Sequence, residues 1–379
     1  MILLCFSHLR WDFVYQRPQH LISRFSDQYT VYFIEEGIYY TGADSYALQP
    51  VKKNLTVIKP YLNENDHSNQ NERLKNIIDV FIKEQQIENF ISWYYSPIAL
   101  LFTNHLHPRL TIYDCMDELS AFKFAPPELK EAEKNLLQKA DVVFTGGHSL
   151  YKAKKHLHHN IYPFPSSIDK EHFGKARNAE SEPADQQHIP HPRLGFFGVI
   201  DERFDIDLIK KAADAKPEWQ FVLIGPVVKI SNDVLPKNNN IHYLGGKKYN
   251  ELPDYVSGWD IALIPFALNE STKFISPTKT PEYLAAGKPV ISTAIEDVVH
   301  PYGDEKLVHI IHSAEDFIAA ATEELNNHSK QEWLKKSDAF LADNSWNATW
   351  KNMFDIIQSA LLKKQTNKPI KDESLCLTI

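Results

Sequence analysis

Short apolar runs bounded by polar turns alternate along the chain with segments whose apolar residues recur every three or four positions. The first pattern marks strands buried on both faces, the second marks helices with one packed side, and their alternation marks parallel α/β sheets. In the first half, 2–6, 31–34, 89–93, 110–113 and 141–145 are expected strands, and 18–25, 71–85 and 127–139 expected helices. A polar, Asn-rich stretch at 63–71 reads as a loop. A second alternation starts at Arg193, with strands expected at 194–197, 220–224, 241–244, 261–265, 289–292 and 307–311. Its helices are expected at 205–213, 249–256, 282–286 and 314–325. Between the two series, 174–192 is charged, rich in Gln, His and Pro, and poor in large apolar residues, so it reads as a linker. Trp346, Trp350, Phe354, Ile357 and Leu361 fall on one stripe of a helix at 345–364, a face suited to returning onto the first domain. The expected division is therefore 1–175, a linker at 176–192, a second domain at 193–344, the helical segment 345–364 and a frayed tail at 365–379.

Length agrees with two domains, since 379 residues exceed one ordinary core. A chain 43% hydrophobic and 24% charged has the composition of a soluble globular protein. Its net charge of −8 argues against general nucleic-acid binding, which needs a basic surface. Cys5, Cys115 and Cys376 are odd in number and far apart, fitting a reducing compartment better than a disulfide framework. No apolar run approaches the roughly 20 residues of a membrane helix. The start, MILLCFSHLRWDF, lacks a basic leader and reads as a buried strand rather than a signal peptide. A cytoplasmic protein is expected.

The segment FISPTKTPEYLAAGKP, at 274–289, carries the most specific chemistry. Ser276 and Thr280 suit helix N-caps, and Pro277 and Pro281 suit a first turn. A helix start offers unpaired N–H groups and partial positive charge to an anion such as a phosphate. Lys279 would add a full charge there, and Glu282, one turn on, would accept hydrogen bonds from a ribose. The competing reading is a capped helix between two strands.

Taken in order, SHLRWDFVYQRPQHL from Ser7, YDCMDELSAF from Tyr113, ADVVFTGGHSLY from Ala140, SSIDKEHF from Ser166, GFFGVIDERFDIDLI from Gly195, LIGP from Leu223, YLGG from Tyr243 and SPTKTPEYLAAGKPV from Ser276 resemble a glycosyltransferase of the GT-B fold, group 1 or family 4. The resemblance implies two doubly wound Rossmann-like domains, an interdomain cleft and a C-terminal helix returning to the first domain. It further implies a nucleotide-sugar donor, with UDP the expected nucleotide, held mainly by the second domain. Carried over, the backbone near Leu244 and Gly245 would read the base, Glu282 the ribose, and Thr278 with Lys279 the diphosphate. Ser276 would belong to the same anion-binding turn. Gly198 would let backbone approach the phosphates, and Arg203 resembles the basic partner that completes the clamp. The family often has a further glutamate near the donor sugar, separated from the second by seven residues. Phe274 stands there, which weakens any inference about the sugar or the stereochemistry.

The first domain should supply acceptor contacts and any base. Asp114, Asp117 and Glu118 follow a predicted strand at its carboxyl end, and Asp117 is the expected base, with His8 its rival. Asp114 is expected to orient the loop, and Glu118 to face the acceptor. Arg10 and Trp11, after the first strand, suit a sugar or pyrophosphate-bearing acceptor, although Trp11 equally suits a buried anchor. Arg17 and His20 are expected to be mainly structural. His156, His158 and His159 lack an acid or cysteine to complete a metal set, and neither a metal nor a separate cofactor is expected. The acceptor implied by the resemblance is a glycan or lipid carrier in bacterial polysaccharide synthesis. Residues 152–159 offer basic side chains for peripheral membrane contact at the inner face or, more simply, a solvated face. Two rival activities remain open: a sugar-nucleotide epimerase of the same architecture, or an inactive nucleotide-binding scaffold.

Overall fold

The computed structural model describes residues 1–327 and 330–366. Its first sheet runs, edge to edge, through Ile38–Tyr40, Leu55–Asn63, Thr30–Ile34, Ile2–Phe6, Phe90–Tyr94, Leu110–Cys115, Val142–Thr145 and Ile161–Pro163. These strands pair in parallel, while Ser45–Lys52 pairs antiparallel with Leu55–Asn63. The second sheet runs through Ile241–Gly245, Gln220–Ile224, Arg193–Phe197, Ile261–Ile264, Val290–Thr293 and Val308–Ile311, all parallel. Leu3, Leu4 and Cys5 are wholly buried, as a strand covered on both faces requires.

In each sheet the strand that opens the series lies inside, and the order reverses beside it. Ile2–Phe6 lies between Thr30–Ile34 and Phe90–Tyr94, and Arg193–Phe197 between Gln220–Ile224 and Ile261–Ile264. Ligands of doubly wound sheets bind beyond the carboxyl ends of strands at such reversals. The loops after Phe6 and Phe197 are therefore the first places to look.

The helix Trp346–Thr366 returns to the first lobe, where Trp346, Met353, Ile357 and Leu361 join the core around Leu21, Phe25 and Trp93. Trp346 also stacks on His20 at 4.6 Å. Thr366 closes this helix, so the tail expected from 365 begins inside it and otherwise lies outside the described residues.

The expected linker is a correction. Residues 174–192 pack on the second lobe: the Gln186 amide donates to the Tyr255 carbonyl at 2.9 Å and accepts from Trp259 Nε1 at 2.9 Å. Glu182 pairs with buried Arg193. The lobes are joined earlier, where outgoing and returning chain run together. There Ser167 Oγ bonds Asn344 at 2.5 Å, Lys170 donates to the Leu341 carbonyl at 3.0 Å, and Trp346 N–H donates to Ile168 at 3.3 Å. Cys5 and Cys115 are buried free thiols, and Cys376 lies outside the described residues. No helix among the described residues is long and apolar enough to cross a membrane.

Candidate functional site

The loop after Phe197 begins with Gly198, whose φ of +142° lies where glycine is favoured. A Cβ there would sit 2.4 Å from Cε and 2.8 Å from Nζ of Lys279, so any other residue would displace the lysine. The Lys279 ammonium lies 5.6, 5.9 and 5.7 Å from the ring centres of Phe196, Phe197 and Phe266. Among the described residues it forms no hydrogen bond or ion pair. Burial pushes it below the ordinary lysine range, although Glu282 opposes that shift. Glu282, 5% exposed, is pushed upward by burial while Lys279 and the Thr278 side chain favour its charged form. Its Oε2 is buried without a partner among the described residues.

Arg203 is aimed by Asp201, itself only 2% exposed: Nε donates to Oδ1 at 3.0 Å and Nη2 to Oδ2 at 2.7 Å. Burial works against the guanidinium charge, yet Asp201 outweighs it and the net shift is upward. The Arg203 Cζ lies 5.5 Å from the Phe122 ring of the first lobe, and Lys229 Nζ lies 5.4 Å from the same ring. Three cations of the second lobe thus gather around the mouth of the cleft.

Asp117 faces them. Its carboxylate has no hydrogen bond among the described residues. Burial pushes it up to about 6, against the pull of Arg203 and then Arg17. His8, partly buried in the loop after Phe6, is pushed down to about 4 by burial and by Lys229, with the Tyr95 backbone opposing. The Asp117–His8 side of the cleft therefore meets the Arg203–Lys229 side.

Other predicted residues are engaged elsewhere. Arg10 pairs with Glu35 at 3.0 Å and donates to the Glu36 carbonyl at 2.6 Å, so it builds its own loop rather than facing the cleft freely. Trp11 packs edge-on against Phe33 at 5.0 Å, the anchoring alternative. Glu118 is held by Lys154 at 2.7 Å and by Ser120 Oγ at 2.8 Å, leaving little of it for an acceptor. Asp114 is wholly buried and receives Arg17 Nη2 at 2.9 Å, fixing the helix Arg17–Phe25 to the strand that leads to Asp117. His20 is buried under Trp346 and pushed down to about 3 by burial, then by Arg24 and His172. His158 is satisfied locally, with Nε2 on the Ala140 carbonyl at 3.0 Å and Nδ1 accepting from Asn160 N–H at 3.1 Å. No group of three or more His, Cys, Asp or Glu able to hold a metal occurs among the described residues.

The turn before Lys279 also differs from expectation. The helix is only Lys279–Ala285, its N-cap is Thr278, and no side chain caps it. Thr280 lies inside it with a buried, unpaired hydroxyl. The Ser276 carbonyl accepts from Ser166 Oγ at 2.7 Å, in the crossing segment. One short helix gives a weak dipole, so the positive charge here is that of Lys279 and Arg203. Leu244 and Gly245 end their strand as expected, with Gly245 exposed at φ +69° and open space where a Cβ would be.

Sequence reasoning missed Asp201, Phe122, Lys229, Tyr249 and Asp297. Lys229 and Tyr249 follow carboxyl ends of the strands Gln220–Ile224 and Ile241–Gly245, so the strand-end rule could have found them. Asp297 follows the carboxyl end of the strand Val290–Thr293 in the same way. Its Oδ1 accepts from Ser149 N–H at 2.8 Å across the cleft, and a Cβ on Gly147 would lie 2.0 Å from its Oδ2. Asp297→Ala is expected to weaken this crossing by about 1 kcal/mol, the size of a lost cap, speeding exchange of the Ser149 amide about fivefold. Unchanged exchange would show that the contact contributes nothing.

A cavity of about 520 Å³ beside Arg177 and Lys288 lies apart from the cleft. Its cations are spent: Arg177 pairs with Asp338 at 2.7 Å, and Lys288 donates to the Ser257 and Trp259 carbonyls at 2.7 and 2.8 Å.

Residues 191–327 match the family model of glycosyl transferases group 1. A protein of Bacillus subtilis (strain 168), described as a teichuronic acid biosynthesis glycosyltransferase, TuaH, is 27% identical over 282 residues, covering 69% of this chain and 70% of that one. Among solved structures, sucrose-phosphate synthase from Thermosynechococcus elongatus superposes with a TM-score of 0.70 at 14% identity, covering 96% of this chain and 99% of that one. The trehalose-6-phosphate protein from E. coli, bound with UDP-2-fluoro glucose, gives 0.69 at 12% identity, over 95% and 99%.

Proposed function

We propose that this chain, a group 1 glycosyltransferase of the GT-B fold, moves a sugar from a nucleoside diphosphate, with UDP expected, to a hydroxyl of a glycan or lipid-linked acceptor in polysaccharide synthesis. One observation carries the donor reading. A lysine with no polar partner among the described residues is seated over a glycine that alone leaves it room, beside an arginine aimed by a buried aspartate. As the bond from sugar to diphosphate breaks, charge grows on the leaving phosphate. Preplaced cations stabilise that charge more in the transition state than in the ground state. Lys279 and Arg203 take this role, and Glu282 takes the ribose. Asp117 takes the acceptor proton as the new bond forms. A carboxylate lifted to about 6 is a stronger base than an imidazole lowered to about 4, which favours Asp117 over His8.

The polymer acceptor rests on the likeness to the teichuronic acid protein. A cytoplasmic location rests on the buried free thiols, and peripheral lipid contact on the exposed Lys155 and Leu157. Incubation with UDP- and GDP-sugars and a panel of glycan and lipid-linked acceptors tests the reading. Nucleoside diphosphate released together with an elongated acceptor is the expected result. Conversion of the donor sugar alone would mean an epimerase, and tight binding without turnover would mean an inactive scaffold.

A further inference from the structure

Tyr249 holds a place for which the proposed chemistry has so far given no use. Its ring lies between Tyr15 of the first lobe, stacked at 4.6 Å, and His172 of the crossing segment, stacked at 4.3 Å. Its carbonyl accepts from His172 Nε2 at 2.9 Å. Backbone and ring are thus fixed from both lobes, but the hydroxyl is buried with no hydrogen-bond partner among the described residues. A buried, unpaired hydroxyl is unfavourable unless a ligand or a water completes it.

The same is true of Glu282 Oε2. The helix Lys170–Gly174, which carries His172, packs against the helix Lys279–Ala285, which carries Glu282. Phe173 bridges the remaining distance, 5.7 Å from the Tyr249 ring and 5.9 Å from Phe197, which itself borders Lys279. A phenol can donate and a carboxylate oxygen can only accept, yet these two do not satisfy each other. A vicinal diol completes both, one hydroxyl donating to the carboxylate and its neighbour accepting from the phenol.

We propose that Tyr249 and Glu282 together grip the ribose diol of the donor nucleotide, with Tyr249 supplying the second hydrogen bond. This rests on the nucleotide-donor reading and adds to it a residue that also touches the first lobe. Burial raises the Tyr249 pKa above the ordinary tyrosine value, with the Glu282 charge adding to it, so the hydroxyl remains a donor.

The test compares calorimetric affinities of UDP, 2′-deoxy-UDP and 3′-deoxy-UDP, with GDP and its deoxy forms in parallel, for the full chain and for Tyr249→Phe. The substitution keeps the stacked ring and removes only the hydroxyl. Wild type should lose about 2- to 12-fold in affinity for each missing ribose hydroxyl, the size of one net hydrogen bond. Tyr249→Phe should bind the parent nucleotide more weakly by a similar factor and no longer discriminate against one of the two deoxy forms, the signature of a coupled pair. Full discrimination against both deoxy forms in Tyr249→Phe overturns the Tyr249 assignment and leaves the donor reading standing. Failure of wild type to bind either nucleotide overturns both.

Discussion

Asp117→Asn is expected to lower turnover by roughly 10²–10⁴-fold, the usual contribution of a positioned general base, while nucleotide affinity stays nearly unchanged. The carboxylate stands directly after the strand Leu110–Cys115, and Arg17 bound to Asp114 fixes that strand end. It faces Arg203 across the cleft without a hydrogen bond among the described residues, free to meet an acceptor hydroxyl. Asn keeps the size of the side chain and removes its basicity. The pH dependence follows from the same group. Burial raises the carboxyl to about 6, so the ionised base is lost as pH falls through that value and turnover should drop on the acid side. That acid limb should vanish in Asp117→Asn. A variant with wild-type rates and an unchanged profile would exclude Asp117 and turn attention to His8.

Lys279→Ala is expected to weaken binding of UDP by about 10- to 100-fold, the range of hydrogen bonds to charged groups. The loss should shrink at high salt, since part of it is charge attraction. The lysine lies beside aromatic rings and above Gly198, and its removal breaks no ion pair or hydrogen bond among the described residues. A weakened affinity would therefore report on the nucleotide site, directly or through the charge of Glu282, rather than on the fold. Unchanged affinity by calorimetry would remove Lys279 from the phosphate site. Gly198→Ala should mimic part of the effect, because the new methyl group occupies the place of the lysine side chain.

Much of the fold was legible because doubly wound strands are apolar on both faces and stand out as runs. Ile2–Phe6, Gln220–Ile224 and Ile261–Ile264 announce themselves in this way. The strand pair Ser45–Lys52 and Leu55–Asn63 did not, since it mixes exposed polar positions with Pro50 and Pro60, residues that argue against a strand. The segment 174–192 misled for another reason. Its polarity suits a linker, but Gln186 and Glu182 are polar because they bond buried partners, which composition cannot reveal. Within the site, Gly198, Arg203, Lys279 and Glu282 could be singled out from their own motifs. Phe122, Tyr249 and Asp297 meet Arg203, Tyr15 and Ser149 of the other lobe, and although Tyr249 and Asp297 follow strand ends, nothing local in the sequence marks their partners. Ser276 and Thr280 show the converse. Both obey the local rule for helix caps, and packing places neither at a cap.

The proposed donor site has the second lobe hold the leaving diphosphate through side-chain charge at the edge of the strand Arg193–Phe197. A crystal structure with UDP tests it most directly. Phosphate oxygens should lie within hydrogen-bond reach of Lys279 Nζ and Arg203, with the ribose beside Glu282. A diphosphate bound elsewhere, for instance in the cavity beside Arg177 and Lys288, would contradict it.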